Sequence, residues 1–163
     1  DPSALHPDTY FPSIVQTEDI HPGISLCKLG FPFVEFKATY DEVLNRFDLP
    51  PHLLPMPLFP IEGMYTRNFL KGRDADGREI LFLETSSPGL KGQSGGPIFD
   101  TRGVIYAIQS QNLTIPLGYT GLAPLNGRHV EENQFLNLGL GVHPQTLIAL
   151  LQHHKISFKT EHA

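Results

Sequence analysis

Short apolar runs separated by turn residues make up most of the hydrophobic pattern of this chain. Residues 24–29 alternate enough to predict a strand, and residues 34–37 predict a second one, with Gly30-Phe31-Pro32 at the corner between them. Residues 63–70 and 78–84 predict a hairpin, because a turn sequence that ends in glycine separates them. The pattern therefore predicts a fold of short strands linked by turns.

Two segments carry a helical pattern. Residues 39–47 predict a short helix that Thr39 caps, with apolar side chains on one face. Residues 144–154 predict a second helix, since Pro144 suits a first helical turn and an apolar stripe follows it. The helical content of the chain is expected to be small, and its clearest helix lies near the C-terminal end.

Prolines and glycines predict two loop regions. Five prolines within residues 49–60 exclude both a helix and a central strand, so an extended covering loop, a substrate-side wall or a docking surface is expected there. Residues 113–128 are predicted to be rich in loops. Residues 134–140 are predicted to form the last strand of the fold.

Composition narrows the class of function. The 163 residues suit one domain, expected to span residues 22–158 between an extended segment or linker, residues 1–21, and a tail, residues 159–163. A formal net charge of -5 without a basic stripe argues against nucleic-acid binding. No apolar run is long enough to span a membrane. Cys27 is the one cysteine, so no internal disulfide can form, which suits a cytoplasmic protein or a disulfide-poor bacterial export.

The candidate chemistry lies in the six residues Gly92-Gln93-Ser94-Gly95-Gly96-Pro97. Strands are predicted before them, at residues 79–83, and after them, at residues 98–99 and 103–110. Glycines on both sides of a serine leave its hydroxyl uncovered and allow other backbone to approach closely. Such a loop can direct several N–H groups at one point, as acyl transfer to a serine requires. A plain glycine-rich turn would explain the glycines, but not the serine, the proline and both flanking strands together.

The six residues resemble the nucleophile motif of trypsin-like serine proteases, Gly-x-Ser-Gly-Gly-Pro. The strand, turn and strand that follow also resemble this family, and Gly30-Phe31-Pro32 resembles the end of the strand that opens the second barrel of bacterial members. The resemblance implies an all-β fold: an antiparallel six-stranded barrel, the second of such a protease, with a C-terminal helix. It implies a serine endopeptidase that forms an acyl-enzyme and uses neither a cofactor nor a metal.

The resemblance also implies the roles of the serine and its neighbours. Ser94 would be the nucleophile, and the N–H groups of Gly92 and Ser94 would form the oxyanion hole. A serine hydroxyl needs a histidine base that an aspartate orients. No histidine upstream of Ser94 stands in the family's Thr-Ala-Ala-His or Thr-Asn-x-His setting, and residues 1–5 resemble its aspartate segment only faintly. The chain is therefore expected to be inactive alone, with the missing His–Asp half as its partner.

The resemblance further implies which residues contact a peptide or protein substrate. Residues 107–111 match the family strand that pairs with extended substrate, with Ser110 at the family's serine position and Gln111 after it. Ser87 and Pro88 match the base of the side-chain pocket. No aspartate stands there, so the implied preference is for an apolar or small side chain rather than for lysine or arginine.

Several alternatives remain open from the sequence. The chain is either a fragment of an active enzyme, a chain that meets its His–Asp half on another chain, or a degenerate domain. A degenerate domain would be a binding module that recruits a peptide or protein partner, and a structural β domain would have no site. Half of a two-barrel protein leaves an apolar interface bare, so dimerisation or swapping is expected.

The histidines and one asparagine offer weaker signals. His153 and His154 are adjacent on a predicted helix and therefore face different directions, so a solvated helix end explains them better than a metal site does. His143 has no partner at ligand spacing. Asn112-Leu113-Thr114 fits a glycosylation sequon, a triplet that often arises by chance.

Overall fold

The computed structural model describes residues 11–32, 38–48, 58–126 and 128–163, which are mostly β structure. Within those ranges the elements are, in chain order, β1 (Ile14–Val15), β2 (Ser25–Gly30), β3 (Thr39–Asp41), β4 (Arg46–Asp48), β5 (Phe59–Arg73), β6 (Glu79–Thr85), β7 (Pro97–Phe99), β8 (Ile105–Leu125), β9 (Arg128–Val142), α1 (Pro144–His153) and β10 (Thr160–Glu161). The all-β fold with a C-terminal helix is confirmed, and the helix begins at Pro144 as predicted.

Six strands make up the body of the molecule. β2 pairs with β5 and β7, β5 also pairs with β6, β6 with β9, β9 with β8, and β8 with β7, and all of these pairings are antiparallel. Each of the six therefore has a partner on both of its sides. β1 joins β8 and β10 through parallel pairs, and β3 and β4 form a separate two-stranded sheet.

The core lies between these strands and consists of aliphatic and tyrosine side chains. It includes Val15, Leu26, Tyr65, Leu83, Ile98, Val104, Tyr106 and Ala107. Each large side chain among them contributes roughly 1.5–3 kcal/mol by its removal from water. Ile14 and Val15 are buried although they precede the predicted domain, because β1 is fixed between β8 and β10.

Residues 39–47 do not form the predicted helix; they form β3, a turn and the start of β4. Asp41 Oδ1 accepts the N–H groups of Val43, at 2.9 Å, and Leu44, at 3.0 Å, and Asn45 adopts a φ of 51°. Short polar side chains stabilise turns as well as helix starts by bonding nearby N–H groups. The residues interpreted as a helical first turn therefore close a hairpin instead.

Of residues 113–128, predicted to be rich in loops, 113–125 belong to β8 and Arg128 begins β9, and the two strands form a long antiparallel ribbon. The two strands pair from Ile108 with Val142 out to Leu125 with Arg128. The prolines and glycines that suggested loops are accommodated by a register shift that follows Pro116. The prediction was wrong because it weighed those residues above the alternating apolar positions around them.

Two other predictions fall at the edge of the described residues. The predicted strand at residues 34–37 and residues 49–57 of the proline-rich segment lie outside them. Phe59 and Pro60, however, belong to β5, so this strand begins at Phe59 and not at Gly63, the predicted start. At these two residues β5 pairs with β2 alone, since its pairing with β6 begins at Tyr65, so the excluded central strand does not occur there.

Candidate functional site

The serine loop, defined as residues 90–96, consists of two consecutive tight turns that share Gln93. In the first turn the N–H of Gln93 donates to the carbonyl three residues before it at 3.0 Å, and Gly92 has a φ of 91°. In the second, the N–H of Gly96 donates to the Gln93 carbonyl at 2.9 Å, and Gly95 has a φ of 86°. Both show the signature of a type II turn, which needs glycine at its third position. Backbone geometry thus accounts for two of the motif's glycines.

Gln93 anchors the loop to the body of the protein. Its side chain is fully buried; Nε2 donates to the Phe59 carbonyl at 3.0 Å, and Oε1 accepts the N–H of Leu90 at 2.8 Å. Gly30 at the end of β2 leaves the space that Gln93 fills, because a Cβ on Gly30 would lie 2.6 Å from the Gln93 Cα. The residue before the serine therefore points inward and turns Ser94 outward.

Ser94 is exposed at the second position of the second turn. Its Oγ donates to the carbonyl of Ser110 at 3.2 Å, and within the described ranges it has no histidine partner. β8 also holds the loop through its backbone: the N–H of Gly95 donates to Gln109 O at 2.8 Å, and the N–H of Gln109 donates to Gly96 O at 2.9 Å. The structure thus brings together Ser94 and Ser110, which the sequence had placed in one site.

Some N–H groups of the serine loop are bonded and others are free. Those of Gln93, Gly95 and Gly96 each donate to a backbone carbonyl, whereas those of Lys91, Gly92 and Ser94 have no acceptor in the part of the chain that the structure describes. The free donors include the two, Gly92 and Ser94, that were assigned to an oxyanion hole from the sequence. Unpaired N–H groups beside an exposed hydroxyl can stabilise an oxygen that gains negative charge during acyl transfer.

The pocket segment, defined as residues 86–89, precedes the serine loop. Ser87 and Pro88 are half-buried, and both of their carbonyls accept hydrogen bonds from the ammonium of Lys28. Asn112 on β8 fixes the end of the segment, since its side chain accepts the N–H of Gly89 and donates to the Gly89 carbonyl, both at 2.8 Å. Lys28 therefore holds both predicted pocket residues, and Asn112 holds the glycine that follows them.

Lys28 and Asn112 are the site residues that sequence reasoning missed. The alternation along β2 places Lys28 on the same face as buried Leu26, so a lysine pointing into the core could have been recognised. Burial lowers the pKa of Lys28 to about 8. Asn112 was considered only as a glycosylation sequon, and no sequence pattern indicates its contact with Gly89.

The histidines with described side chains take no part in this site. Buried His143 contacts Asn68 Oδ1 through Nε2 at 3.1 Å, and its Nδ1 accepts the Gln145 N–H at 3.2 Å. Burial lowers the pKa of His143 to about 4. His153 and His154 lie edge to face at the end of α1. No group of three or more potential metal ligands occurs among the described residues.

A cavity of about 840 Å³ lies elsewhere, between the start of β6 and α1. Its lining combines apolar residues such as Phe82 and Leu150 with a polar rim that includes Arg78 and His153. None of the lining residues belongs to the serine loop or the pocket segment, so this cavity is separate from the candidate site.

Among the residues described, no helix combines the length and hydrophobicity needed to cross a membrane.

In comparisons with known proteins, no family model matches the chain and no curated protein is significantly similar to it. The motif and its geometry are therefore the basis for any function. They consist of an exposed hydroxyl on Ser94, the free N–H groups of Gly92 and Ser94, and a neighbouring strand, β8, that contacts the loop.

Proposed function

We propose that this chain is the nucleophile half of a serine endopeptidase of the trypsin-like type, with Ser94 as the nucleophile. The observation that carries the proposal is the pattern of the serine loop. The exposed Ser94 hydroxyl lies on a loop in which the N–H groups of Gly92 and Ser94 are unpaired, as is that of Lys91, while those of Gln93, Gly95 and Gly96 donate to backbone carbonyls. Each such donor lowers the barrier of acyl transfer by about 3 kcal/mol in a working enzyme.

The proposed fold is the closed six-stranded barrel of such a protease. Its support is the order of pairing, β2, β5, β6, β9, β8 and β7, in which the last strand pairs with the first. A closed sheet leaves no open edge along the barrel and places the loops at its ends. In this arrangement the serine loop, between β6 and β7, lies at one end, where the second half of the enzyme can reach it.

The reaction needs a base that the described residues do not bring to Ser94. In the proposed mechanism, a histidine of the His–Asp half takes the Ser94 proton as Oγ bonds to the peptide carbonyl carbon. The carbonyl oxygen gains its negative charge next to the Gly92 and Ser94 N–H groups. Collapse breaks the C–N bond, the histidine protonates the leaving amine, and water then hydrolyses the acyl group from Ser94.

The proposed peptide site runs along β8 beside Ser94. The pairing of β7 with β8 ends at Ile108, so Ser110 and Gln111 lie beyond the last β7 pair. The register between β8 and β9 shifts between Gln109 and Gln111, and such a bulge redirects the strand locally. An extended peptide added at this edge would gain main-chain hydrogen bonds, with side-chain pockets providing selectivity.

Labelling with a fluorophosphonate tests the proposal in a folded protein that includes the His–Asp half. We expect one phosphonate on Ser94, identified by mass spectrometry, and none in Ser94→Ala. Ser157→Ala, which changes an exposed serine after α1, serves as the control and should label like the parent. A folded protein with both halves that stays unlabelled at Ser94 would contradict the endopeptidase assignment.

A binding module without catalysis is the second candidate. The observation that favours it is the lack of a histidine in contact with Ser94 among the described residues, since the Oγ proton goes to the Ser110 carbonyl. This candidate predicts that peptides bind along β8 with the same affinity in the parent and in Ser94→Ala. It also predicts that no condition produces a labelled serine, which separates it from the enzyme.

A further inference from the structure

A buried lysine lies directly behind the pocket segment. Lys28 is fully buried, and its ammonium donates to Thr85 Oγ1 at 3.2 Å, to the Pro88 carbonyl at 3.1 Å and to the Ser87 carbonyl. β9 packs closely against the ammonium, because a Cβ on Gly139 would lie 2.9 Å from Lys28 Nζ. Three acceptors match the three N–H donors of an ammonium, so its hydrogen-bonding capacity is filled.

The charge on Lys28 is not neutralised by a carboxylate in the part of the chain that the structure describes. Glu84 is engaged by Arg67, at 3.0 Å, and Glu62 accepts a hydrogen bond from Ser25. The ion pairs of the described residues are formed by arginines. Among the described residues, carbonyl and hydroxyl dipoles therefore provide the compensation for the buried positive charge of Lys28, which leaves a positive potential behind the pocket segment.

The strand that carries Lys28 also contacts the serine loop. A Cβ on Gly96 would lie 2.0 Å from the carbonyl oxygen of Leu29, the residue after Lys28. Farther along, the N–H of Phe31 donates to the Gly92 carbonyl at 3.2 Å. The position of the ammonium is thus tied through one strand to the turns that present Ser94.

We propose that Lys28 is a positioning residue that sets substrate preference: its ammonium fixes the pocket segment beside Ser94 and excludes cationic substrate side chains from the adjoining pocket. This inference rests on the proposed function. The Ser87 and Pro88 carbonyls, which could otherwise bind a substrate lysine or arginine, already accept hydrogen bonds from Lys28. The like charge behind them repels a second cation, so the pocket selects neutral or acidic side chains.

The positioning role is tested by amide hydrogen exchange of the pocket segment in Lys28→Met, which keeps an unbranched side chain, one atom shorter, and removes its donors. We expect exchange of these amides to be about tenfold faster than in the parent, because the Pro88 carbonyl loses its partner. Lys159→Met, at an exposed lysine, is the matched control and should leave exchange unchanged. Should Lys28→Met fail to fold, Thr85→Val removes one acceptor of the amine and should give a smaller increase. Unchanged exchange in a folded Lys28→Met would overturn the positioning role. If that variant does not fold, unchanged exchange in Thr85→Val would overturn it.

The preference is tested with aryl phosphonates that differ only in the side chain next to the phosphorus, either that of lysine or that of norleucine, which has the same four carbons without the ammonium. The labelling uses the protein that includes the His–Asp half. We expect norleucine to label Ser94 at least about tenfold faster than lysine, and Lys28→Met to narrow this ratio. Equal labelling by both probes in the parent would overturn the proposed preference. If neither probe labels Ser94, the endopeptidase assignment and the preference fail together, while the exchange result still decides the positioning role.

Discussion

The glycines of the serine loop differ in what an added methyl group would meet, and this predicts a graded response to alanine. A Cβ would lie 2.0 Å from the Leu29 oxygen at Gly96 and 2.3 Å from the Phe31 oxygen at Gly92, but it meets nothing within 4 Å at Gly95. Gly95→Ala should therefore cost only the strain of its φ of 86°, about 1–2 kcal/mol. Gly92→Ala and Gly96→Ala should each cost about 3 kcal/mol or more, since backbone must shift.

Urea unfolding of the three variants checks this order. Gly77→Ala is a matched control for Gly95→Ala, because Gly77 also has a positive φ, of 79°, and open space around it. These two should lose similar stability. Equal losses of unfolding free energy in Gly95→Ala and Gly96→Ala would mean that β2 does not approach the loop as closely as the structure has it.

His143 predicts a loss of stability in acid. Its Nδ1 accepts a hydrogen bond at the start of α1, and burial lowers its pKa from 6.5 to about 4. The unfolded chain takes up this proton near pH 6.5, whereas the folded protein takes it up only near pH 4. The stability that neutral His143 confers is thus fully present above pH 6.5 and is lost as the pH falls from 6.5 to 4, by about 3 kcal/mol.

The measurement is the free energy of unfolding across that pH window in the parent and in His143→Asn. Asparagine keeps an acceptor for the helix N-terminus but does not titrate. We expect the variant to be less stable at neutral pH and to lose less free energy of unfolding as the pH falls. An identical pH dependence in both proteins would show that another group is responsible.

Among the elements, the pocket segment is held to β8 by one side chain, and cutting that link should loosen it. Asn112 makes two hydrogen bonds to Gly89. Asn112→Ala should therefore speed tryptic cleavage after exposed Lys91, in the adjoining serine loop, by roughly tenfold. The reason is that losing these hydrogen bonds lowers the free energy of local opening by about 1–1.5 kcal/mol. Asn137→Ala removes an asparagine that bonds within the β8–β9 ribbon, to Thr114, and should leave this cleavage rate unchanged.

The strands that the sequence predicted correctly are those with clear turn signals between them. The β5–β6 hairpin closes at Gly77, whose N–H donates to the Asp74 carbonyl at 3.0 Å, as the turn sequence indicated. The ribbon of β8 and β9 was missed, although Asn126-Gly127 is a strong hairpin signal and Asn126 has a φ of 50°. A clear turn sequence between two apolar runs is therefore enough to predict a hairpin. The prediction fails where the number of prolines and glycines is given more weight than the hairpin signal itself.

The candidate site was predictable only in part. The motif pointed to Ser94 and its glycines, since these follow one another in the chain. The contact of Ser94 with Ser110 was expected from the resemblance and not from the residues themselves. Lys28 and Asn112 reach the site from strands distant in sequence, and the pairing of those strands is decided by tertiary packing rather than by a local pattern.

For the whole molecule, exposed apolar side chains on the body predict self-association. Met64 and Leu70 on β5 are more than half exposed, at 54% and 53%, and Ile80 on β6 is also exposed. A half enzyme would cover such a surface with its partner half, so we expect this chain alone to form dimers in light scattering. A monodisperse monomer at all concentrations would contradict this expectation.

The account depends most on which N–H groups around Ser94 are free and which are bonded, and amide exchange measured by NMR reports this residue by residue in this chain alone. We predict that the amides of Gly92 and Ser94 exchange at nearly the rate of an unstructured peptide, while those of Gln93, Gly95 and Gly96 are protected. Protection of the Gly92 and Ser94 amides, or the same fast exchange at all five, would contradict a preformed site for an oxyanion.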